Sequence, residues 1–442
     1  MKKWLALILV VLMVALTACS SNNDNDAKGS NGEGKAETKT IRILAHWEGA
    51  NVEAYKKLIA EYEDANPGVK VQLETVPFGD LMKKITSSKL SKDGPDIYHI
   101  YSGWLPDLVK SNTIVPAPDA FKSDIEASYS SNISDSASID GKVYGYPTEL
   151  TAYALNYNKR LFEEAGIKEP PKTWAELEDY AKRLSKVENG KVVQQGFGII
   201  TSWDSGVVHP FLALLQSNGG SLLNGDNTAA AFNSKEGQET IDLYKRLIDA
   251  KALNPEMSTA NASTTGPYMN NFELEKTAMI IMANWWQGGL KSTMGDKYNN
   301  IATAPIPVGP SGSQSSSVFY SWLYSVNADS KNQEAAWDFL KWINSPVADG
   351  KSSRQGDWLL SQGILPSRTS DQEASKGALA NDQFLKTYVE ALANAKSYPI
   401  VNGAGEITVA LQKQVEAVVF GQAKAADALK AAEAQVNGVL KK

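Results

Sequence analysis

The sequence predicts an α/β fold, because strand-like alternation and helix-like periodicity follow one another where the folded region begins. Residues 40–45 alternate apolar and polar side chains, as a half-buried strand does. Apolar residues then recur at helical spacing from Val52 to Tyr62, and residues 69–73 alternate again. A strand, a helix and a second strand in this order are typical of a domain in which helices cover a sheet.

The residues before this fold have the pattern of an export signal. Lys2 and Lys3 precede an apolar run, residues 4–16, that is shorter than the ~20 residues of a membrane span. The following Leu-Thr-Ala-Cys resembles a bacterial lipobox. We therefore predict that residues 1–18 are a signal peptide and that Cys19 carries a lipid, which anchors an exported protein to the cell membrane. Cys19 is the only cysteine, so disulfides and thiol catalysis are excluded.

Residues 19–39 are predicted to be the lipidated cysteine and a flexible tether, because residues 20–39 contain no aromatic or branched aliphatic side chain. The remaining chain, with 43% hydrophobic residues overall, can bury a core. Removal of residues 1–18 takes away two lysines and lowers the formal net charge from −6 to −8. Proteins that bind nucleic acid present basic patches, so the acidic net charge argues against nucleic acid as a partner.

Later segments continue the alternation of strands and helices. Residues 97–101 form a predicted strand, and Thr173-Trp174-Ala175-Glu176 is a capping box that opens a helix. Apolar runs at 196–201 and 278–283 indicate two more strands. Helical spacing returns after Ser330 and again at the C-terminal end of the chain. No repeat at the period of a solenoid is present.

Landmark motifs occur in an order that is typical of one family. From Thr40 nearly to the C-terminus, the chain resembles the extracellular solute-binding proteins of bacterial ABC importers, in particular the carbohydrate-type family that includes maltose-binding protein. The residues that carry the resemblance are Asn66-Pro67-Gly68, Asp93-Gly94-Pro95-Asp96, Gly145-Tyr146-Pro147, Leu155-Asn156-Tyr157-Asn158, Pro171-Lys172-Thr173-Trp174, Asn284-Trp285-Trp286 and Gly363-Ile364-Leu365-Pro366. One departure is visible: Ala283-Asn284-Trp285 stands where the family often has Gly-Pro-Trp.

The resemblance implies a periplasmic-binding-protein-like fold of two discontinuous α/β lobes joined by a hinge. By the position of the motifs, the N-terminal lobe comprises residues 40–150 and 322–367. The C-terminal lobe comprises residues 151–321 and 368–442. Hinge closure would then bring two half-sites onto one ligand.

A sugar site needs aromatic planes for the apolar ring faces and polar groups for the hydroxyls. Open α/β sheets place ligands at strand ends and in loops. We predict ligand contacts from the aromatic and polar residues there, which are Trp47, Glu48, Ser102, Trp104, Glu149, Trp203, Asp204, Trp285, Trp286, Tyr320, Trp322 and Trp358. For Tyr320, Trp322 and Trp358, packing at the hinge is an equally good interpretation. By contrast, Trp174, Trp337 and Trp342 lie on predicted helices and are assigned to core packing.

These features favour a binding protein that delivers an oligosaccharide to the permease subunits of an ABC transporter. We expect a monomer that is not an enzyme and holds no cofactor. The sequence has no P-loop, no Gly-x-Ser-x-Gly elbow, and neither His-x-x-x-His nor Glu-x-x-His, so it predicts no metal site.

Two alternatives remain open at this level. An exported carbohydrate-active enzyme would need a pair of carboxylates, and Glu48, Glu149, Asp204 and Asp357 are available in predicted loops. A binder of another solute, such as a glycerol phosphodiester or a polyamine, could use the same scaffold. A phosphate ligand would favour arginine, and Arg354 is the only arginine near the candidate loops.

Overall fold

The computed structural model describes residues 38–47, 50–261 and 266–442. The predicted signal peptide, Cys19, most of the tether and Glu48 lie outside the described residues. Strand β1 begins at Lys39, one residue inside the predicted tether. Within the described ranges, no helix combines the length and apolar character needed to cross a bilayer.

Thirteen strands are present in the described residues. They are β1 (Lys39–Ala45), β2 (Val69–Thr75), β3 (Ile97–Tyr101), β4 (Ser138–Ile139), β5 (Lys142–Val143), β6 (Tyr146–Asn158), β7 (Lys186–Glu188), β8 (Lys191–Gly198), β9 (Thr277–Ala283), β10 (Ile301–Ala304), β11 (Val318–Val326), β12 (Leu365–Pro366) and β13 (Lys396–Ser397).

Seventeen α-helices accompany the strands of the same ranges. They are α1 (Ala50–Ala65), α2 (Phe78–Ser91), α3 (Leu105–Lys110), α4 (Asp119–Ser128), α5 (Ser131–Asp135), α6 (Lys159–Glu164), α7 (Trp174–Arg183), α8 (Asp204–Ser217), α9 (Lys235–Asp249), α10 (Gly266–Glu273), α11 (Gln287–Met294), α12 (Gln333–Asn344), α13 (Arg354–Ser361), α14 (Thr369–Asn381), α15 (Leu385–Leu392), α16 (Ala404–Val419) and α17 (Ala425–Leu440). Short 3-10 turns occur at Ser102–Trp104, Pro255–Met257, Asn284–Trp286 and Gly295–Asn300.

One sheet runs through the molecule in the order β2-β1-β3-β11-β6-β9-β8-β7. We call the part built on β1–β5 the first half and the part built on β7–β10 the second half. The long strands β6 and β11 pair with each other and connect the two halves, because β11 also pairs with β3 and the end of β6 also pairs with β9. The lobe boundaries given above stay a prediction.

Several predicted elements are confirmed in place. Strand β3 has the predicted residues, and α1 buries Tyr55, Leu58, Ile59 and Tyr62. The capping box of α7 is complete: Thr173 Oγ1 accepts from the backbone N–H of Glu176 at 3.3 Å, and Glu176 Oε2 accepts from the backbone N–H of Thr173 at 3.2 Å. These two bonds satisfy backbone donors that a helix start leaves without partners.

Two predicted elements are wrong in part. Strand β8 begins at Lys191, five residues before the predicted start, because Asn189 and Gly190 both have positive φ and form a tight hairpin turn with β7. Trp358 was assigned to a loop, but it lies in helix α13 and is buried. The helix begins there because Ser353 Oγ accepts from the backbone N–H of Gly356 at 2.9 Å.

Candidate functional site

Aromatic rings from both halves meet where β3, β11 and β6 lie side by side. They form one continuous cluster of ring contacts, which we call the aromatic seam. Its members are His46, Trp47, Phe78, His99, Tyr101, Trp104, Tyr153, His209, Tyr320, Trp322 and Tyr398. Because its members are aromatic rings, the seam is apolar on the ring faces and weakly polar at the ring edges.

Trp322 of β11 is the central ring in the part of the seam that lies next to the first half. The His46 ring lies nearly parallel to it with centroids 3.9 Å apart, and the His99 ring is similarly oriented at 5.0 Å. Phe78 and Trp104 stack on each other at 5.5 Å, and both meet Trp322 edge-on. Trp104 and His46 are only partly buried. This end of the seam therefore offers ring surface that the fold itself does not fully cover.

His209 of α8 links the second half to the first. Its Nε2 lies 3.3 Å from the Tyr101 hydroxyl and its Nδ1 lies 3.1 Å from the Tyr153 hydroxyl. Burial lowers the pKa of His209 to about 3 and raises the pKa of both tyrosines, so all three groups are neutral near pH 7. A neutral imidazole has one donor and one acceptor, so one tyrosine donates to it and the other accepts.

The turn after β9 positions two tryptophans beside the seam. Asn284 is fully buried; its Oδ1 accepts from the backbone N–H of Ala152 at 2.9 Å, and its Nδ2 donates to the carbonyl of Leu150 at 3.2 Å. The Asn284 side chain thus continues the pairing of β9 with β6 past the strand end. This accounts for the departure from Gly-Pro-Trp, because the amide fixes the backbone path at this turn.

Trp285 and Trp286 then point to different surroundings. Trp286 is buried against Tyr268, with centroids 5.7 Å apart, whereas Trp285 is partly exposed. Burial raises the pKa of Tyr320, and its neighbours Tyr153, Trp285 and Thr151 partly offset this rise. Trp285 is therefore close to the seam at Tyr320.

Two further predicted residues begin helix α8. Trp203 is its N-cap, and Gly206 leaves the room that the Trp203 ring occupies, because a Cβ on Gly206 would come 2.5 Å from that ring. Asp204 follows in the first turn and its Oδ1 accepts from the backbone N–H of Ser205 at 2.6 Å. Burial and the neighbouring tyrosines raise the pKa of Tyr101, and the charge of Asp204 raises it further. The Asp204 carboxylate therefore lies near the seam.

Other predicted residues are held within the first half. Trp47 packs between Tyr55 and Trp358, with centroids 4.5 and 4.6 Å away, and both indoles have a buried Nε1 without a hydrogen-bond partner among the described residues. Ser102 Oγ accepts from the backbone N–H of Ser321 at 3.4 Å. Contact of these residues with a ligand stays a prediction.

His46, His99 and Glu149 offer ligand atoms that all lie within 4.8 Å of one another. The spacing rules used on the sequence could not find this group, because His46 directly follows β1 while His99 lies in β3 and Glu149 lies in β6. His99 directs Nδ1 toward His46 and Nε2 toward Glu149. His46 and Glu149 therefore lie on opposite sides of the His99 ring. A metal ion needs ligand atoms that converge on one point, and this arrangement does not provide that.

The sequence interpretation missed seven members of the seam, which are His46, Phe78, His99, Tyr101, Tyr153, His209 and Tyr398. His99, Tyr101 and Tyr153 lie inside strands, and Phe78 and His209 lie inside helices. The position of His46 directly after β1 and that of Tyr101 at the end of β3 were available signals, because strand ends are where ligands bind. Nothing in the sequence reveals that His209 reaches across to Tyr101.

A sequence profile of the bacterial extracellular solute-binding protein family matches residues 47–350. The diacetylchitobiose-binding protein DasA of Streptomyces coelicolor is 24% identical over 375 residues, which cover 84% of this chain and 82% of that protein.

Solved structures show the same fold. The GacH receptor of Streptomyces glaucescens, solved without ligand and with acarbose, superposes with a TM-score of 0.80 at 24% identity, over 92% of this chain and 99% of that one. The cyclic alpha-maltosyl-1,6-maltose binding protein of Arthrobacter globiformis superposes with a TM-score of 0.72 at 26% identity, over 91% and 99%.

Proposed function

Since this chain belongs to the bacterial extracellular solute-binding protein family and has its two-lobed α/β fold, we propose that it binds an oligosaccharide and delivers it to an ABC transporter permease. The observation that carries the proposal is the aromatic seam between the two halves. Its flat, uncharged faces suit the C–H faces of sugar rings, and its hydroxyl and imidazole edges suit sugar hydroxyls. DasA is a diacetylchitobiose-binding protein and the Arthrobacter protein binds cyclic alpha-maltosyl-1,6-maltose, which supports the choice of ligand class.

The mechanism we propose is closure of the two halves on the ligand. A ligand that touches both halves binds the closed form better than the open form, and so shifts the population toward closure. The contacts of Tyr101 with His209, and of Asp107 Oδ1 with the backbone N–H of Gly403 at 2.9 Å, are of the kind that closure would make. The closed form would then be the one that the permease recognises.

We propose that the protein carries out no covalent chemistry. Glu149 is buried and accepts from Thr148 Oγ1 at 2.8 Å, and Asp204 is engaged with the first turn of α8. Both carboxylates are therefore bonded within the fold, and the family to which the chain belongs is one of solute-binding proteins. Incubation of each bound saccharide with the protein, followed by an assay for new reducing ends, tests this point: sustained turnover would contradict it.

The position of Arg354 argues against a phosphate-bearing solute held by this residue. The Arg354 guanidinium lies 3.9 Å from the centroid of the Trp342 ring and 3.9 Å from a Glu61 carboxylate oxygen, on the helix layer of the first half. Arg354 is therefore already engaged by residues outside the seam. Phosphate recognition relies on arginine or lysine in the cleft.

We also propose that Cys19 anchors the exported protein through a lipid, as its place behind residues 4–16 suggests. No other thiol can accept the lipid, so Cys19→Ala should leave the protein unlipidated. Metabolic labelling with a fatty-acid probe tests this. A labelled Ala variant that stays in the membrane fraction would overturn the anchor.

A thermal-shift screen tests the ligand class. The chain without residues 1–37 would be heated with mono- and oligosaccharides, with glycerol phosphodiesters and with polyamines. A ligand present at 100-fold its dissociation constant should stabilise the fold by about 2.7 kcal/mol, which is a readable shift in melting temperature. Stabilisation by a polyamine or a phosphodiester, with none by any saccharide, would contradict the proposal.

A further inference from the structure

A chain of side-chain hydrogen bonds leads from a buried carboxylate to the edge of the aromatic seam. Thr148 Oγ1 lies 2.8 Å from Glu149 Oε2, and His99 Nε2 lies 3.0 Å from the same threonine oxygen. On the other edge of the ring, His99 Nδ1 lies 3.3 Å from His46 Nδ1. Glu149, Thr148 and His99 are all buried, whereas His46 is partly exposed.

The carboxylate sets the direction of every bond in this chain. The hydroxyl of Thr148 donates its hydrogen to Glu149 Oε2. The threonine oxygen must then accept from His99, which therefore carries its hydrogen on Nε2. In this chain the lone pair on His99 Nδ1 accepts from His46 Nδ1–H. His46 consequently has a lone pair on Nε2.

The two imidazoles lie nearly parallel to each other and pack against Trp322. Their rings are inclined by only 5°, with centroids 5.2 Å and the two Nδ1 atoms 3.3 Å apart. Burial, and the charge that His99 would carry if protonated, keep the pKa of His46 well below its ordinary value, so the ring is neutral near pH 7. Within the described residues, the hydrogen bonds of His46 engage Nδ1 alone.

We propose that His46 is a ligand-binding residue whose Nε2 accepts a hydrogen bond from a hydroxyl group of the bound saccharide. Glu149, Thr148 and His99 are positioning residues, because they act through His46 by fixing its tautomer and the plane of its ring. This inference rests on the sugar-binding function proposed above. It also changes the role of Glu149, which becomes the origin of the chain instead of a direct ligand contact.

The tautomers can be measured without any ligand. The chain has only three histidines, so long-range ¹H–¹⁵N spectra of the imidazoles can be assigned with one variant per residue. We expect hydrogen on Nε2 of His99 and on Nδ1 of His46 at pH 7.5. Hydrogen on Nε2 of His46, or a cationic His46, would overturn the chain. In His99→Phe, which keeps a flat ring but offers His46 Nδ1 no acceptor, the fixed tautomer of His46 should be lost, whereas Thr113→Val, at a buried threonine of the first half outside the chain, should leave it unchanged.

The ligand contact is tested with saccharides that lack one hydroxyl each. In the wild-type protein, one of these deoxy analogues of the parent found in the screen should bind about tenfold more weakly, as expected for one lost hydrogen bond. In His46→Phe, which keeps a flat ring beside Trp322 but has no ring nitrogen, the same analogue should bind as well as the parent. An undiminished preference for the parent in His46→Phe would overturn the contact.

The two readouts separate this inference from the function on which it rests. If no saccharide binds, the proposed function fails, and the ligand contact fails with it. If a saccharide binds and the His46 tautomer is wrong, the proposed function stands, but the chain from Glu149 and the acceptor role of His46 Nε2 both fail. If the tautomer is as expected and no deoxy analogue loses affinity through His46, only the ligand contact is overturned.

Discussion

Single side chains of the site differ in how much of their surface the fold already uses. Trp47 and Trp286 are almost fully buried, so their substitution would act mainly on stability. Trp104 and Trp285 keep exposed surface that a ligand could cover. At the scale of the residue, exposure therefore distinguishes candidate contacts from core residues that merely lie near them.

Trp285→Ala should weaken saccharide binding by about 30-fold, because truncation of an aromatic anchor in a desolvated site costs about 2 kcal/mol. The loss in unfolding free energy should be small, since the Trp285 ring is only partly buried. Calorimetric titration and urea unfolding on the same variant measure both quantities.

Trp337→Ala is the matched control. Trp337 lies on α12 and is 1% exposed, so its truncation should cost about 3–5 kcal/mol of unfolding free energy and leave affinity unchanged. If Trp285→Ala behaved like this control, the tryptophan would be a core residue and not a ligand contact.

Acid should destabilise the protein in part through His209. Its pKa is about 3 in the fold and about 6.5 in the unfolded chain, so between these values the unfolded state binds more protons. The unfolding free energy should therefore fall as pH decreases from 6.5, by at most about 1.4 kcal/mol per pH unit from this group.

His209→Gln isolates this contribution, because glutamine can still bond to Tyr101 and Tyr153 but does not titrate. Urea unfolding at several pH values between 7.5 and 4.5 should show a shallower decline for the variant. Other acid-sensitive groups, including His46, are common to both proteins and cancel in the comparison. Equal slopes would show that His209 is not buried as a neutral group.

At the scale of the element, the sequence predicts correctly those helices and strands that are determined by residues close together in the chain. The capping box at Thr173 and the alternation of residues 97–101 are local patterns, and both elements occur as predicted. The start of β8 was misplaced because the run at 196–201 is apolar, while the hairpin turn at Asn189-Gly190 lies among polar residues. The turn residues, and not the apolar run, indicate where β8 begins.

Thr173→Ala should lower the unfolding free energy by about 1 kcal/mol, because the backbone N–H of Glu176 loses its acceptor. Thr173→Ser keeps the hydroxyl and should restore most of this loss. Saccharide affinity should be the same in all three proteins, since α7 does not contribute to the seam. A change in affinity with Thr173→Ala would mean that α7 is coupled to the site.

At the scale of the molecule, the aromatic seam could be predicted only in part. The sequence identifies Trp47 and Trp104 from their places after strands, and Tyr320 and Trp322 from the expected crossover between the lobes, although both of these lie inside β11. The histidine and tyrosine neighbours of these four residues were not identified, because contacts such as His46 with His99 and Tyr101 with His209 join segments far apart in the chain. A linear pattern records which residues lie on one element, but not which elements meet.

Small-angle X-ray scattering tests most directly whether the saccharide binds between the two halves. The chain without residues 1–37 would be measured alone and with a saturating saccharide from the screen. We expect the radius of gyration to fall on binding, and the profile of the complex to match the profile calculated from residues 38–442, in which Tyr101 already reaches His209. A saccharide that binds tightly and leaves the profile unchanged would contradict closure of the two halves on the ligand.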